Sequence, residues 1–196
     1  GQGSRASLAT WDAQLAAHGI ALMQDRARAI DLIAASFARL ATALGLTGDP
    51  ELRYRPRSRA VEPAELVAEL AERIDSDLER GFSGHGPHRD DVSFSCQGRE
   101  LRPYGSQGQQ RLALLSLLLA EREAIAASRD VTPVMLLDDV MSELDRDRRE
   151  ALVEVLRAGG QAVITTTDLE HVPGVVDLDV TSLVVAGGTV HEGAVV

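Results

Sequence analysis

Two adjacent carboxylates at the end of an apolar run are the first candidates for a functional site. Asp138 and Asp139 follow residues 134–137, whose four apolar side chains predict a buried strand of a parallel sheet. Open α/β sheets bind ligands at the carboxyl ends of their strands. Two acids placed there repel each other unless a cation compensates, and Mg²⁺ held with phosphate oxygens is the usual solution. A neighbouring acid can then orient or deprotonate a water. The alternative is a strand end whose acids cap the following loop.

The segment Ser-Gln-Gly-Gln-Gln-Arg at residues 106–111 is the second candidate, because it directly precedes a strongly helical stretch. Ser106 is a good N-cap, and Gly108 keeps the first turn free of a side chain. The free N–H groups and the positive end of a helix bind anions. Gln109 and Gln110 add neutral donors. An ordinary capped helix is the alternative.

Two shorter motifs follow the acids along the chain. Ser142 and Asp145 lie just beyond them, and Asp145 is placed to cap the next helix. Residues 165–168, which include Thr167, come at the end of the next apolar strand and so should lie on the same edge of the sheet. Each motif is weak alone, since caps and strand ends are commonly Ser, Thr or Asp. The order and spacing of all four motifs are more informative.

The helices and strands predicted around these residues divide the chain into a helical N-terminal part and an α/β C-terminal part. The change falls near residues 81–86, where glycine is frequent. We predict helices over residues 11–46 (one long helix or a bent pair), 63–80, 106–127 and 145–156. We predict strands over residues 51–59 (an edge strand or extended arm), 92–96, around Leu101, 134–137, 162–165, 183–186 and 189–191, the last two as a hairpin.

Residue spacing also predicts a buried apolar face on one N-terminal helix and a basic face on one extended segment. Leu66, Leu70, Ile74 and Leu78 form the expected buried stripe of the helix over residues 63–80. Four arginines alternate through residues 51–59 and share one face if that segment is extended, about 7 Å apart. They are Arg53, Arg55, Arg57 and Arg59. This row suits a phosphate backbone, or it is a solvated edge whose charge blocks aggregation.

Composition sets limits on the chemistry. The 196 residues carry 20 basic and 30 acidic side chains, a net charge of −10, which disfavours a whole-surface nucleic-acid binder but allows a local basic face. Every basic side chain is arginine, so the chain has no P-loop lysine. The single cysteine, Cys96, excludes an internal disulfide and fits a reducing compartment. No apolar run approaches 18 residues, so we expect no membrane span and a cytoplasmic protein.

A loop rich in histidine and acids, residues 82–91, has two interpretations. His85, His88, Asp90 and Asp91 could suggest a metal site. Gly86 and Pro87 break the helix that would align the two imidazole rings. We therefore favour a structural loop over a metal site.

The four motifs together resemble the C-terminal half of an ABC-type ATPase head, with its signature loop, Walker B strand, D-loop and switch strand. Residues 86–91, 106–111, 136–140 and 142–145 look like those of the RecF family of bacterial recombination mediators. The stretch beginning at Trp11 resembles that family's helical lobe. The resemblance implies an α/β fold: part of an ABC-type head, with a partial, mostly parallel sheet and flanking helices, preceded by an α-helical lobe. It implies a lobe over residues 1–84, part of domain II, and a head over residues 85–196.

The resemblance also implies roles for single residues. Asp138 would coordinate Mg²⁺, and Asp139 would be the catalytic carboxylate. Contacts with the γ-phosphate held by the other subunit would come from Ser106, Gly108 and Gln109. Ser142 and Asp145 would belong to the D-loop at the dimer contact. Thr167 occupies the position where many ABC ATPases carry a switch histidine, a departure that is compatible with slow turnover.

Members of the family are cytoplasmic proteins of DNA replication, recombination, repair and the SOS response. They bind ATP, dimerise around it, bind DNA and hydrolyse ATP weakly, and they act with RecO and RecR to load RecA at single-strand gaps. The family begins with a Walker A P-loop, which this lysine-free chain lacks. We therefore expect a fragment or one piece of a split pair, inactive as an ATPase without its N-terminal half. A non-enzymatic module for protein interaction, made of a helical lobe and half a head, is the alternative, which the acidic net charge favours.

Overall fold

A computed structural model of the chain describes residues 5–177 and 180–193. The helices are α1 Arg5–Ala43, α2 Pro63–Arg80, α3 Leu101–Tyr104, α4 Gln107–Arg129 and α5 Arg146–Arg157. The strands are β1 Glu51–Arg55, β2 Asp91–Cys96, β3 Arg99–Glu100, β4 Met135–Asp138, β5 Ala162–Thr165, β6 Leu183–Ala186 and β7 Thr189–Glu192. Single 3-10 turns cover Pro87–Arg89, Val140–Glu143 and Leu169–His171.

The chain forms two compact units. One runs to Thr42 and resumes over Leu46–Glu121; the other comprises Ala43–Gly45 and continues from Arg122. The compact units do not divide between residues 84 and 85, because β2 pairs with β1 within the first unit. The expected division at that point stays a prediction about the domains of the family. No helix in the described part of the chain is both long and apolar enough to cross a bilayer.

The first unit is organised around two helices and an antiparallel sheet in the order β1-β2-β3. Its core cluster joins one face of α1 to one face of α2 and comprises Ala16, Ile20, Met23, Ala60, Leu66 and Leu70. The predicted bounds of α2 are confirmed: Pro63 occupies the first turn, and Gly81 ends the helix at φ 76°. The predicted stripe is wrong at its end, because Leu78 is 52% exposed.

The arginine row is only partly a strand feature. β1 is an edge strand, as predicted, and its register places Leu52 opposite Phe94. The strand ends at Arg55, directly before Pro56, so only Arg53 and Arg55 share its exposed face.

The chain around Leu101 differs from the prediction of a strand. The ladder ends at Glu100, and Leu101 begins the short helix α3. Pro103 has no N–H to give a ladder and suits a first helical turn. The N–H of Gly105 closes that turn on the carbonyl of Leu101 at 2.8 Å.

The second unit contains the parallel pair β4-β5, the helix α5 and the hairpin β6-β7. We predicted that the strand over residues 134–137 would be fully buried, and this is wrong within the described residues. Met135 and Leu137 are buried, but Leu136 is 76% exposed and Val163 is 48% exposed. The alternation shows that one face of the pair is covered and the other is open.

The backbone around β4 is held by a buried arginine. Arg122 is 6% exposed, and its guanidinium donates to the carbonyls of Pro133 and Gly159. These carbonyls lie just before β4 and just after α5. One charged side chain therefore joins the backbone before β4 to the backbone after α5.

Candidate functional site

The acids predicted at the strand ends stand beside a threonine of the neighbouring strand. Asp138 and Thr165 are register partners, so the carboxyl ends of β4 and β5 meet as predicted. Thr165 Oγ1 donates to Asp138 Oδ1 at 2.5 Å and accepts from the Asp139 N–H at 3.0 Å. The threonine thus fixes one carboxylate oxygen of Asp138 while the other keeps its acceptor capacity.

Asp139 has an unusual backbone for its position. Strand β4 ends at Asp138, and Asp139 follows at φ 48° and ψ 27°, in the left-handed region. Aspartate tolerates this conformation better than most residues. The rule that neighbouring strand residues point to opposite faces therefore does not extend to this pair. Both residues are exposed, and Ser142 Oγ donates to the Asp139 carbonyl at 2.9 Å.

The segment after the acids is anchored by burial and by a helix cap. Met141 and Leu144 are buried in the turn before α5. Asp145 is the N-cap predicted from the sequence, since its Oδ1 accepts from the Arg148 N–H at 3.0 Å. Arg149 Nε donates to the Met141 carbonyl at 2.8 Å. These contacts hold Ser142 at the exposed tip of the turn.

The polar segment after β5 presents Thr167 at the same edge of the parallel pair. Thr167 is exposed in the bend between β5 and the turn Leu169–His171. Its neighbours form a local cap, in which the Asp168 N–H donates to Thr166 Oγ1 at 3.2 Å and Asp168 Oδ1 accepts from the Glu170 N–H at 2.9 Å.

The donor chemistry at this edge fits magnesium. The described residues contain no group of three or more His, Cys, Asp or Glu placed to form an all-protein metal site. Two exposed carboxylates remain at the end of β4. Mg²⁺ is usually held by one or two carboxylates with substrate phosphates and water. Asp138 and Asp139 therefore suit a cation that arrives with a phosphorylated ligand.

The start of α4 is a reciprocal cap. The Gln109 N–H donates to Ser106 Oγ at 3.2 Å, and the Ser106 N–H donates to Gln109 Oε1 at 2.9 Å. Ser106 is exposed and Gly108 is partly buried. The cap uses an acceptor lone pair of the hydroxyl and the amide oxygen. It leaves the hydroxyl proton and the Gln109 NH₂ group as donors.

Gln110 has a role that the sequence analysis did not identify. Its Nε2 donates to the carbonyls of Leu101 (3.1 Å), Arg102 (3.3 Å) and Gly105 (3.1 Å). Gly105 is required here, because a Cβ would lie 2.7 Å from the Leu101 carbonyl oxygen. Gln110 therefore fixes the loop that leads into the cap. Its signal in the sequence was only its position one residue after the cap pair.

We expect Ser106→Ala to lower the free energy of unfolding of the first unit by about 1 kcal/mol, the usual cost of removing a serine N-cap. The interaction that disappears is the bond from the Gln109 N–H. Chemical denaturation followed by circular dichroism measures the change. Gln107→Ala is the matched control, since Gln107 is exposed and has no part in the cap. Equal stability of Ser106→Ala and the control would contradict the capping role.

The histidines and acids of residues 82–91 do not converge on a shared point. His85 Nε2 lies 2.5 Å from Glu69 Oε2, and His88 Nε2 lies 3.0 Å from the Ser83 carbonyl. Asp91 Oδ2 accepts from Arg102 Nη1 at 3.0 Å. Each side chain has its own partner, which favours the structural interpretation of this loop over a metal site.

Asp90 forms a network that ties distant parts of the first unit together. Its side chain is 1% exposed and accepts from the Tyr54 hydroxyl, from Arg26 Nη1 at 3.4 Å and from the Arg57 N–H at 2.8 Å. Arg26 also donates to the Pro87 carbonyl at 2.6 Å. Burial, together with the hydrogen bond to Asp90 and its charge, raises the pKa of Tyr54 to about 12.

The four arginines predicted as a row have different surroundings. On β1, Arg53 Nη2 lies 2.9 Å from the Glu51 carboxylate, and Arg55 Nε donates to Ser93 Oγ at 3.0 Å. Arg57 and Arg59 are exposed beyond the strand. The structure therefore brings two of the four onto one strand face and places the others in the following loop.

Comparisons with known proteins give a consistent result. A scan against protein-family models finds no match. The chain is 39% identical over 179 residues to the DNA replication and repair protein RecF of Moorella thermoacetica, covering 88% of the chain and 46% of the relative. It is 39% identical over 194 residues to RecF of Myxococcus xanthus, covering 93% and 51%. The chain thus spans about half the length of the curated relatives it matches.

Solved structures agree with the sequence relatives. The recombination mediator protein RecF in the RecFOR pathway, solved as RecF-ATPrS, superposes with a TM-score of 0.80 at 26% identity, covering 98% of this chain and 52% of that chain. The corresponding RecF-ATP structure gives a TM-score of 0.78 at the same identity and coverage. The agreement confirms the α/β fold expected for part of an ATPase head.

Proposed function

Because the chain belongs to the RecF family of DNA replication and repair proteins, we propose that it forms part of an ATP-dependent, DNA-binding recombination mediator. One observation carries the proposal. Asp138, Asp139 and Thr165 meet at the carboxyl ends of two parallel strands, where such sheets bind ligands. The relatives solved as RecF-ATP and RecF-ATPrS support ATP as the nucleotide.

The two acids have separate roles in the proposed hydrolysis. Asp138, whose carboxylate is oriented by Thr165, offers an oxygen ligand for Mg²⁺, which when bound neutralises phosphate charge. Asp139 orients the attacking water and accepts its proton as the catalytic carboxylate. The left-handed backbone of Asp139 lets its side chain leave the strand in a direction independent of Asp138.

The start of α4 and the turn before α5 are proposed to act across an ATP-dependent homodimer. The Ser106 hydroxyl, the Gln109 amide and the backbone at Gly108 contact the γ-phosphate held by the other subunit. The free donors that the reciprocal cap leaves support this role. Ser142 and Asp145 form the D-loop contact. Thr167 stands at the switch position, and a hydroxyl cannot exchange protons near neutral pH as an imidazole can, in keeping with slow turnover.

We also propose the N-terminal half, the protein partners and the cellular role that are known for the family. The N-terminal half with its Walker A P-loop supplies the remaining ATP contacts. The mediator works in the cytoplasm with RecR and RecO, loads RecA at single-strand gaps and serves repair and the SOS response. The place of the solved relatives in the RecFOR pathway supports RecR and RecO as partners.

ATP-dependent dimerisation tests the proposal in a protein that carries the full length of the family. Sedimentation velocity with and without ATP-Mg²⁺ gives the dimer fraction, and fluorescence anisotropy gives duplex DNA affinity. We expect ATP to increase both. A protein that stays monomeric at saturating ATP and does not bind DNA would overturn the proposal.

Charge neutralisation on β1 tests the DNA contact. We expect Arg53→Ala and Arg55→Ala to weaken binding to all DNA sequences and to reduce the slope of log affinity against log salt by about 0.9 for each phosphate that the protein no longer neutralises. Arg28→Ala is the control, because Arg28 is also exposed and paired with a carboxylate, that of Asp25 at 2.5 Å. A salt slope equal to that of the control variant would instead assign the β1 arginines to edge protection.

A further inference from the structure

A cavity in the first unit is lined mainly by basic side chains. Its volume is about 270 Å³, just below the range typical of sites for drug-sized ligands. The lining residues are Arg57, Arg73, Ser76, Asp77, Arg80, Gly84 and His85. Three guanidinium groups therefore surround a small space together with one carboxylate, in a chain whose net charge is −10.

The cavity is built from one helix face and two loops. Residues 73, 76, 77 and 80 of α2 recur at the three- and four-residue spacings that share a helix face. Arg57 comes from the loop after β1, and its N–H is fixed by Asp90 at 2.8 Å. His85 comes from the loop after α2 and is 5% exposed. The basic groups are thus presented by backbone that other contacts already hold in place.

Glu69 fastens both loops to α2. Burial raises the pKa of Glu69, but hydrogen bonds from Ser58 and His85 outweigh this effect, so the pKa lies below its ordinary value. His85 Nε2 lies 2.5 Å from Glu69 Oε2. Ser58, 1% exposed, also accepts from the Ala60 N–H at 3.0 Å. The Glu69 carboxylate thus joins the loop that carries Ser58 and the loop that carries His85 to α2.

The charges within the cavity are incompletely balanced. Asp77 Oδ1 accepts from the Gly84 N–H at 3.1 Å. Arg73 donates to the Glu69 carbonyl at 2.9 Å and lies 3.9 Å from the Glu72 carboxylate. Within residues 5–177 and 180–193, no ion pair engages the Arg57 or Arg80 guanidinium. Like charges held close together favour an anion between them.

Glycine at position 84 keeps the space open. A Cβ there would lie 3.2 Å from Arg80 Nη1 and 3.4 Å from Asp77 Oδ1. These are tight contacts with side-chain ends, so glycine lets the loop after α2 approach Arg80 and Asp77 closely.

We propose that this cavity binds one phosphate group of the DNA backbone, an inference that rests on the DNA binding proposed above. Guanidinium groups match phosphate with paired, charge-assisted hydrogen bonds. Arg57 follows β1 by two residues, so the cavity continues along the chain from Arg53 and Arg55. A phosphate in a DNA strand and a free phosphate share this chemistry, and the experiment separates them.

Fluorescence anisotropy of a labelled duplex across a series of salt concentrations tests the site in the 196-residue chain. We expect the double variant Arg73→Gln/Arg80→Gln to bind at least about tenfold more weakly, because the loss of even one charge-assisted hydrogen bond has that effect. Its salt slope should fall by about 0.9. Asp77→Asn should instead strengthen DNA binding, because it removes the negative charge from the cavity while keeping an oxygen that accepts from the Gly84 N–H. Arg28→Gln is the control and should match the wild type.

A second arm uses inorganic phosphate in calorimetric titrations of the same proteins. The double variant could bind DNA with the affinity and salt slope of the wild type while Arg53→Ala and Arg55→Ala still bind more weakly. That result would overturn the proposal that the cavity binds a DNA phosphate, and it would leave the proposed function standing. Binding of inorganic phosphate that the double variant abolishes, with unchanged DNA affinity, would identify a free-phosphate site and overturn the DNA assignment. A wild-type chain that binds no duplex would overturn this inference, and the ATP and DNA test of the full-length protein decides the proposed function separately.

Discussion

Asp139→Asn in the full-length protein is expected to slow ATP hydrolysis by about 100-fold while leaving nucleotide binding close to that of the wild type. The factor is the lower end of what a general base contributes. Asparagine tolerates the left-handed backbone of residue 139 as aspartate does, so the change removes charge and basicity rather than shape. The ATP-bound dimer should therefore accumulate. Turnover assays, nucleotide affinity and dimer fraction measure the three effects.

Asp138→Asn is the companion variant, and its expected defect is different. An amide oxygen can still accept from Thr165 Oγ1, but the metal ligand loses its charge. Binding of nucleotide should therefore become weaker and less dependent on Mg²⁺. If both variants lose binding equally, or if Asp139→Asn turns over normally, the division of roles between the two acids is wrong.

Asp90→Ala is expected to lower the free energy of unfolding of the first unit by about 3 kcal/mol, the lower end of the cost of breaking a buried ion pair. The variant leaves the Tyr54 hydroxyl, the Arg26 guanidinium and the Arg57 N–H without their shared acceptor. Arg26 is 41% exposed and can find water, so the larger values of the range do not apply. Urea denaturation measures the loss.

The control for Asp90→Ala is the variant Asp91→Ala. Asp91 is also paired with an arginine, but Arg102 is 86% exposed and Asp91 is 63% exposed. Asp91→Ala should therefore cost well under 1 kcal/mol, as exposed ion pairs do. Comparable losses in the two variants would show that the Asp90 network is no more than a surface pair.

Local signals in the sequence account for what could be predicted of the fold. Pro63 and Gly81 mark the ends of α2 because proline suits a first turn and glycine reaches a left-handed cap without strain. The apolar runs located β4 and β5, and their ends correctly indicated that Asp138 would meet residues 165–168. Ser106 and Asp145 could be recognised as caps for the same reason, since a cap depends on a few adjacent residues.

Contacts between distant residues account for what was missed. Asp90 meets Arg57, Tyr54 and Arg26, which lie 33, 36 and 64 residues away, and no periodic pattern encodes such a meeting. Leu136 was expected to be buried because it belongs to an apolar run. Such a run does not show which face of the strand the rest of the protein will cover. The chemical roles of Asp138 and Asp139 remain predictions that the variants above test, and the γ-phosphate contacts of Ser106, Gly108 and Gln109 also remain predictions.

Cys96 gives the chain a built-in reporter of local opening. Its thiol is buried at the end of β2 and donates to the carbonyls of Thr47 at 2.9 Å and Gly48 at 3.2 Å. Burial raises the pKa of this thiol, so the reactive thiolate is scarce while the sheet is closed. Because the sequence has one cysteine, the rate of its modification by a thiol-selective reagent reports how often the structure around Cys96 opens locally. Pulsed labelling can therefore follow that unit in the unaltered protein, with no introduced probe and no signal from the second unit.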